Sequence, residues 1–146
     1  MSDLLVRPVV AIAGEEDALA TYQALRGRLD PETDRPLVVY VVQKAGGAMD
    51  KAPMGALEEM AQRAFAGVEE LAAEDGVEID TEIYYGTDVA ETIVDAAGEV
   101  DATSIVFTSR GGGSWLDLIS GGVRSSLITK TDRPVVVLPA PDATDE

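Results

Sequence analysis

Short runs of β-branched residues alternate with longer amphipathic segments along this chain, and this alternation restricts the fold more than any other feature. The runs are Leu5 to Ala13, Leu37 to Val42, Val77 to Tyr85, Thr103 to Thr108 and Pro134 to Leu138. Continuous apolar strands separated by helices are typical of parallel sheets covered on both faces. Because crossovers are right-handed, we predict an α/β fold: a single doubly wound, five-stranded parallel sheet of Rossmann-like type.

The segments between these runs predict four helices. In the first, Ala18, Tyr22, Leu25 and Leu29 recur at helical spacing. The third follows Gly86, and either Thr87 or Asp88 can cap it. The second and fourth helices are predicted at Pro53 to Asp75, where Gly76 ends the helix, and at Gly122 to Thr131.

The inventory of side chains excludes whole classes of chemistry. The chain has 146 residues, enough for one domain, which we place at residues 1–140, followed by an acidic tail at 141–146. It contains no cysteine and no histidine. Disulfides, thiolate or imidazole metal sites, cysteine nucleophiles and histidine acid–base catalysis are therefore excluded. We name no catalytic residue and no metal ligand.

Acidic residues dominate the charge of the chain. There are 27 Asp and Glu against 11 Lys and Arg, a formal net charge of −16. Such a field repels nucleic acid and anionic lipid, so neither is expected as a partner. Two interpretations stay open: an ordinary acidic protein, or one adapted to high intracellular salt, as the three lysines favour. The amino-terminal sequence lacks the features of a signal peptide and no run is long enough to span a bilayer, so we expect a cytoplasmic protein.

The segment after the fourth run is rich in glycine. Gly111 to Gly113 and Gly121 to Gly122 flank a short loop ahead of the fourth helix, beside Arg110 and Arg124. Glycines allow close backbone approach, and arginines can bond phosphate oxygens. The alternative is a plain glycine-rich surface turn. The Walker and dinucleotide-binding patterns are absent, and the SGG sequence at Ser120 is followed by Arg124 where the pyrophosphatase loop of nucleotide alpha hydrolases needs an aspartate.

Several segments together resemble the universal stress protein family. They are Pro8 to Ala13, GTDVAETI from Gly86, SRG from Ser109, and GGVRSSLI from Gly121 leading into RPVVVLP. The resemblance covers essentially the whole chain in the right order. It implies an adenine nucleotide alpha hydrolase-like sheet, and an adenine-nucleotide site with Mg in those members that bind ATP. Placed on this sequence, that site would comprise Ile12, Ala13, Gly14, Val41, Phe107, Thr108, Arg110, Gly111, Gly121, Gly122, Val123 and Arg124.

The chain departs from the family's ATP-binding pattern at three places. Thr108 stands for the first glycine of the motif, Gly122 for its closing hydroxyl residue, and Gly14 for the aspartate that meets adenine. Each change removes backbone freedom or a hydrogen bond, which is worth about 0.5 to 1.5 kcal/mol net. Val41 still matches a usual neighbour of the adenine ring.

Two functions follow from the resemblance. The leading hypothesis is a stress-response homodimer with a degenerate nucleotide pocket, which pairs through the last strand, Pro134 to Leu138, and acts on an unidentified protein partner. The alternative is a working ATP or adenine-nucleotide switch with at most slow hydrolysis. We do not expect a dedicated enzyme, although a weak ATPase stays an alternative, and the expected cofactor is ATP or another adenine nucleotide with Mg, or none.

Overall fold

The computed structural model describes residues 4–12, 14–43, 54–108, 129–131 and 133–138. Within these ranges strands and helices alternate along the chain. The elements are β1 (Pro8–Ile12), α1 (Glu15–Arg26), β2 (Leu37–Gln43), α2 (Met54–Asp75), β3 (Asp80–Gly86), α3 (Val89–Glu99), β4 (Ser104–Thr108) and β5 (Val135–Leu138).

All five strands form one parallel sheet in the order β3-β2-β1-β4-β5. The chain winds outward from β1 through β2 to β3, and β4 then returns to pair with the other side of β1. In register, Val10 lies opposite Val38 on β2 and Val106 on β4. The predicted doubly wound, five-stranded parallel sheet is confirmed. Its strand order reverses between β1 and β4.

Each face of the sheet carries its own apolar layer. One layer joins α1 and α2 to alternate strand residues and includes Ile12, Leu25 and Phe65. The other joins α3 to the intervening residues and includes Ile93 and Phe107. The side chains of successive strand residues point to opposite faces, so β1 contributes to both layers. No helix in the described part of the chain is both long and apolar enough to cross a bilayer.

Local chemistry explains where the helices end. Gly76 has φ of +73°. Its N–H bonds the carbonyl of Ala73, and the N–H of Val77 bonds that of Ala72, which is the Schellman arrangement that ends α2 as predicted. At the start of α3 the carboxylate of Asp88 accepts from the N–H of Glu91, so Asp88, rather than Thr87, is the cap.

Three predicted boundaries are wrong. β1 begins at Pro8, because the preceding residues form a turn. α1 ends at Arg26 with Gly27 as its C-cap, so Leu29 lies beyond the helix although it packs against the core. β3 begins at Asp80, since Val77 completes the cap of α2.

An ion pair holds α1 to the end of α2. The guanidinium of Arg26 contacts both carboxylate oxygens of Asp75 at 2.8 and 3.0 Å, and the hydroxyl of Tyr22 donates to the same carboxylate at 2.7 Å. The hydrogen bonds from Arg26 and from Tyr22 lower the pKa of Asp75. Charged side chains therefore border the apolar contact between α1 and α2 at one end.

A second ionic cluster joins the amino ends of β1, β2 and β3. Arg7 donates to Asp80 at 2.8 Å, and Arg35 bonds the same carboxylate through two nitrogens at 3.0 and 3.1 Å. Arg35 also reaches Glu78 at 3.1 Å. The hydrogen bond from Arg35 is the main cause of a lowered pKa at Asp80, with Arg7 adding to it.

Hydrogen bonds to backbone carbonyls continue this row across the other strands. The hydroxyls of Thr103 and Ser104 donate to the carbonyl of Leu4 at 2.7 and 2.6 Å. Arg133, just before β5, donates to the carbonyl of Ala102 at 3.0 Å. The amino end of every strand is thus tied to a neighbour. We call this set the amino-end belt: Arg7, Arg35, Asp80, Thr103, Ser104 and Arg133.

Candidate functional site

The carboxyl ends of β1 and β4 form the point where strand order reverses, and open α/β sheets bind ligands there. Ile12 closes β1 and is 1% exposed, packed in the layer of α1 and α2. Phe107 is also 1% exposed, packed in the layer of α3. Both predicted site residues therefore lie at the expected edge. Their side chains belong to the core, and both residues are paired with neighbouring strands.

Gly14 lies between β1 and α1 and has no side chain to cap the helix. Its φ of 170° and ψ of −175° are extended, a conformation open to any residue. A β-carbon added to Gly14 would lie 3.8 Å from the sulfur of Met60 on α2, an ordinary contact. Backbone geometry and packing thus permit a side chain here. The fold does not require this glycine, which differs from the aspartate of the family's ATP-binding pattern only in side-chain chemistry.

Val41 and Thr108 complete the described part of the predicted site. Val41 lies on β2 opposite Tyr84 and is half-buried against the layer of α3. Thr108 is the last residue of β4 and lies opposite Leu138 on β5. The other predicted site residues lie outside the described residues: Ala13, Arg110, Gly111, Gly121, Gly122, Val123 and Arg124.

Negative charge gathers beside Gly14. Glu15, Glu16 and Asp17 form the first turn of α1. Glu15 contacts Arg63 of α2 at 3.8 Å, with both side chains more than half exposed. Acidic side chains at the amino terminus stabilise a helix, but their negative charge repels a phosphate group. This corner therefore suits an uncharged part of a ligand better than a polyphosphate.

The carboxyl end of β3 is crowded. A β-carbon on Gly86 would lie 2.1 Å from the hydroxyl oxygen of Thr92, which itself donates to the carbonyl of Asp88. Lys130 approaches the carboxylate of Asp88 at 3.5 Å. The bond from the Glu91 N–H is the largest cause of a lowered pKa at Asp88, and Lys130 adds to it. Gly86 is therefore needed for packing.

Sequence reasoning did not predict that Met60 lies beside Gly14. It assigned the apolar stripe of α2 to the core, and Met60 falls beside that stripe, half-buried rather than buried. A methionine at the edge of an apolar helix face is the sequence signal that was available. Its proximity to Gly14 depends on how α2 packs over α1, which a sequence pattern does not give.

A separate polar groove of about 430 Å³ lies on the molecule, away from the switch point. It adjoins the amino-end belt, and its single arginine is already bonded to Glu78 and Asp80. Its lining residues are Pro31, Glu32, Thr33, Asp34, Arg35, Gly76 and Glu78. Within the described ranges no three acidic side chains converge closely enough to hold a metal ion.

The described side chains near the switch point are apolar. Met60 lies beside Gly14 in the layer of α1 and α2, and Val41 packs in the layer of α3 on the other face of the sheet. Polar recognition in this described corner would come from the backbone. Phosphate contacts, if made by Arg110, Arg124 and the glycines, fall outside the described residues.

Comparison with known proteins gives the same fold. A solved universal stress protein from Burkholderia pseudomallei is 24% identical, with a TM-score of 0.72, covering 96% of this chain and 100% of its own. One from Archaeoglobus fulgidus in complex with dAMP is 22% identical, with a TM-score of 0.64 and coverage of 92% and 98%. A universal stress protein in complex with cAMP is 15% identical, with a TM-score of 0.60 and coverage of 90% and 94%.

The comparison with curated proteins gives no match. The model of the universal stress protein family, in contrast, matches residues 7–139, which include all five strands and all three helices described above. Sequence and fold agree over nearly the whole chain, so this protein belongs to the universal stress protein family.

Proposed function

We propose that this chain works as a homodimeric stress-response protein in which a nucleotide site at the carboxyl ends of β1 and β4 is retuned rather than lost. The reversal of strand order between β1 and β4 carries this proposal, because it leaves an opening there. Gly14, which carries no side chain, follows β1 at this edge. Solved relatives in complex with dAMP and cAMP support a nucleotide as the occupant.

We expect the proposed site to bind nucleotide more weakly than a site with the family's full ATP-binding pattern. Gly14 offers no carboxylate, and Thr108 ends β4 where the family pattern has glycine. Two or three lost hydrogen bonds reduce affinity by about 10-fold to 100-fold. We therefore expect dissociation constants of roughly 100 μM for ATP, AMP or cyclic AMP. The proposal assigns no residue to the catalysis of nucleotide hydrolysis.

The site is tested by calorimetric titration of the protein, freed of copurified nucleotide, with Mg·ATP, AMP and cyclic AMP in 2 M KCl. Gly14→Trp places a bulky ring beside Met60 after β1 and should abolish binding. Gly98→Trp is the matched control, because a β-carbon on Gly98, on the exposed side of α3, meets no atom of the described residues within 4 Å. Equal nucleotide affinity in the two variants would show that the site lies elsewhere. No binding by the wild-type protein up to 10 mM nucleotide would refute the nucleotide part of the proposal.

The dimer is proposed on the free edge of β5. This strand pairs with β4 on one side and ends the sheet. Val137 points outward with 45% of its surface exposed, in a strand that otherwise faces the core. A short apolar edge strand is a template for pairing with another chain. A second copy of the same strand would cover it.

Sedimentation at several concentrations tests this interface. Val137→Lys should convert a dimer to a monomer, since the lysine would be buried without a partner. Leu19→Lys on α1, at 37% exposure, is the control and should leave the dimer intact. A wild-type protein that sediments as a monomer at all concentrations contradicts this part of the proposal.

The alternative is a switch that binds ATP tightly and hydrolyses it slowly. Micromolar affinity for Mg·ATP in the same titration, with release of phosphate over hours, would favour it. The proposed form predicts weak binding without phosphate release and an action exerted through a protein partner.

A further inference from the structure

The outer edge of β3 ends the sheet on the side opposite β5. β3 has seven residues, against four in β5, and all seven pair with β2. Its residues are half-buried or exposed, whereas those of β1 are all buried. β3 is therefore the longer of the two edge strands, and no strand of the described ranges pairs with its outer side.

Backbone groups alternate in direction along this edge. The N–H of Asp80 donates to the carbonyl of Pro36 on the side of β2. In a parallel ladder alternate residues bond the same neighbour, so Glu82 and Tyr84 also direct their N–H and C=O groups to β2.

The intervening residues, Thr81 and Ile83, direct their N–H and C=O groups away from β2. No backbone group of the described residues bonds them on that side. An edge with such groups is a template for an added strand, whose side chains alternate between the two faces of the sheet.

Acidic side chains line the α3 face of this edge. Glu82 shares that face with Tyr84, which packs in the layer of α3, and both Glu82 and Glu99 of α3 are exposed. Burial is the main cause of a raised pKa at Tyr84, and the charges of Glu99 and Glu82 add to it, while Arg7 opposes it. Arg7 is already bonded to Asp80. This face therefore favours lysine or arginine on an added strand.

The other face of the edge is less charged. Ile83 packs against the layer of α1 and α2, and Thr81 lies on the same side of the strand. Tyr85 is 42% exposed, and its hydroxyl donates to Glu58 of α2. β-branched side chains on an added strand would therefore pack beside Ile83.

Acidic surface continues past the amino end of β3. The polar groove of about 430 Å³ includes Gly76 and Glu78, which lead into β3, and also Glu32 and Asp34. Its arginine already bonds two carboxylates. A basic side chain at the end of an added strand would thus meet carboxylates there as well.

We propose that the outer edge of β3 docks an extended, basic segment of a protein partner, which adds a sixth strand to the sheet. Its backbone bonds Thr81 and Ile83, and its cationic side chains face Glu82 and Glu99. The inference rests on the proposed action through a protein partner and specifies the surface and the chemistry of that partner. A second copy paired through the same strand is disfavoured, because its acids would meet those of the first.

The test titrates the full chain with a fluorescent peptide as long as β3, in which lysine alternates with threonine or valine, in 0.5 M KCl. One control peptide has glutamate for lysine. The other keeps the lysines and has its three central amides N-methylated, which removes strand pairing at unchanged charge. We expect at least about tenfold tighter binding of the first peptide than of either control. Equal binding of the N-methylated peptide would mean charge attraction alone and would overturn the inference.

Substitutions in β3 give matched comparisons. Thr81→Pro removes an outward N–H without removing a bond to β2 and should weaken peptide binding at least about tenfold, whereas Thr81→Val should bind within about twofold of the wild type. Glu82→Lys should weaken binding about fivefold. Glu16→Lys makes the same change of charge on α1, which packs against β1, β4 and β5, and should have less than about a twofold effect. Equal losses in the two lysine variants would show that the peptide senses only net charge, against the inference.

Amide hydrogen exchange tests whether the edge is open in the free protein. The N–H groups of Thr81 and Ile83 should exchange faster than those of Glu82 and Tyr84, which bond β2, and the peptide should slow them. Equal protection of all four without peptide would show that the chain or a second copy already covers the edge, which would overturn the inference.

Failure of this inference is separate from failure of the proposed function. Val137→Lys, on the opposite edge, should bind the peptide as the wild type does, and a loss there would place the peptide on β5 instead. Absence of peptide binding up to 1 mM would overturn the docking edge. The nucleotide titration and the sedimentation of the wild type would still decide the proposed site and dimer.

Discussion

The two ends of the sheet are built differently. At the amino ends, the amino-end belt ties each strand to a neighbour through hydrogen bonds of 2.6 to 3.3 Å or ion pairs. At the carboxyl ends, Gly14 follows β1 and Gly86 closes β3, and α1 begins without a side-chain cap. The belt stabilises the sheet, and we propose that the opposite end binds a ligand. Substitutions at one end should therefore change stability, and those at the other should change binding.

Salt should have the largest effect on stability, because the 27 acidic residues far outnumber the 11 cations that can pair with them. The described cations that pair with carboxylates are Arg7, Arg26, Arg35, Arg63, Lys130 and Arg133. The remaining acids repel one another over a Debye length of about 10 Å at 0.1 M salt and about 3 Å at 1 M. We expect 2 M KCl to raise the free energy of unfolding by about 3 kcal/mol over 0.1 M KCl.

Urea unfolding at both salt concentrations measures this effect. A variant with Glu69, Glu70 and Glu74 changed to glutamine removes three exposed charges of α2 and should depend less on salt. Equal stability in both salts would contradict adaptation to high salt and favour an ordinary acidic protein.

Gly86→Ala should be the most harmful single substitution at the carboxyl ends. The new methyl group would overlap the hydroxyl of Thr92, and overpacking costs about 1–3 kcal/mol. In a Thr92→Ala background the same substitution should cost little, because the clashing oxygen is gone. Urea unfolding of the four proteins in this double-mutant cycle measures the coupling. Additive losses would mean that Thr92 is not the obstacle.

Asp80→Asn should weaken the belt without altering the site. The carboxylate contacts both Arg7 and Arg35 but is 35% exposed, so solvent reduces the loss to about 1 kcal/mol. Glu82→Gln, an exposed acid on the same strand, should change stability by less than about 0.5 kcal/mol. Nucleotide affinity should equal that of the wild type in both variants. A loss of nucleotide affinity in Asp80→Asn would contradict the separate roles of the two ends of the sheet in stability and binding.

Acid should remove what two ionic clusters contribute: the pair of Arg26 with Asp75, and Asp80 of the amino-end belt with Arg7 and Arg35. The pKa values of Asp75 and Asp80 lie below their usual range when folded, owing first to hydrogen bonds from Arg26 and Arg35 respectively. Their contribution is therefore complete above the unfolded pKa of about 3.9 and is lost as pH falls through the folded values. The stability gap between wild type and Asp80→Asn should be constant from pH 7 to 5 and close below about pH 4. A gap that persists at pH 2.5 would show that the charge is not its source.

Gly14→Asp should have the smallest effect on stability. Aspartate is a good N-cap and glycine an acceptable one, so the gain is about 0.3 kcal/mol. Thermal unfolding of the variant beside the wild type measures it. A loss above 1 kcal/mol would show that Gly14 is needed by the fold, as Gly86 is.

The sequence predicts the fold better than the site, for physical reasons. Strand type and number follow from periodicity, and Gly76 and Asp88 end and begin helices through contacts within a few residues. Leu29 misled the prediction, because an apolar residue just past a helix can pack on the same core. Met60 lies beside Gly14 and Thr92 beside Gly86 because of how the helices pack, and no local pattern encodes those contacts.

The most direct test of the central claim is to map amide chemical shifts by NMR while Mg·ATP is added to the wild-type protein in high salt. We expect the largest changes at Ile12, Gly14, Met60 and Thr108, with the amides of Arg35 and Asp80 unchanged. Changes concentrated around Arg35 and Asp80, or no changes at saturating nucleotide, would contradict a ligand site at the carboxyl ends of β1 and β4.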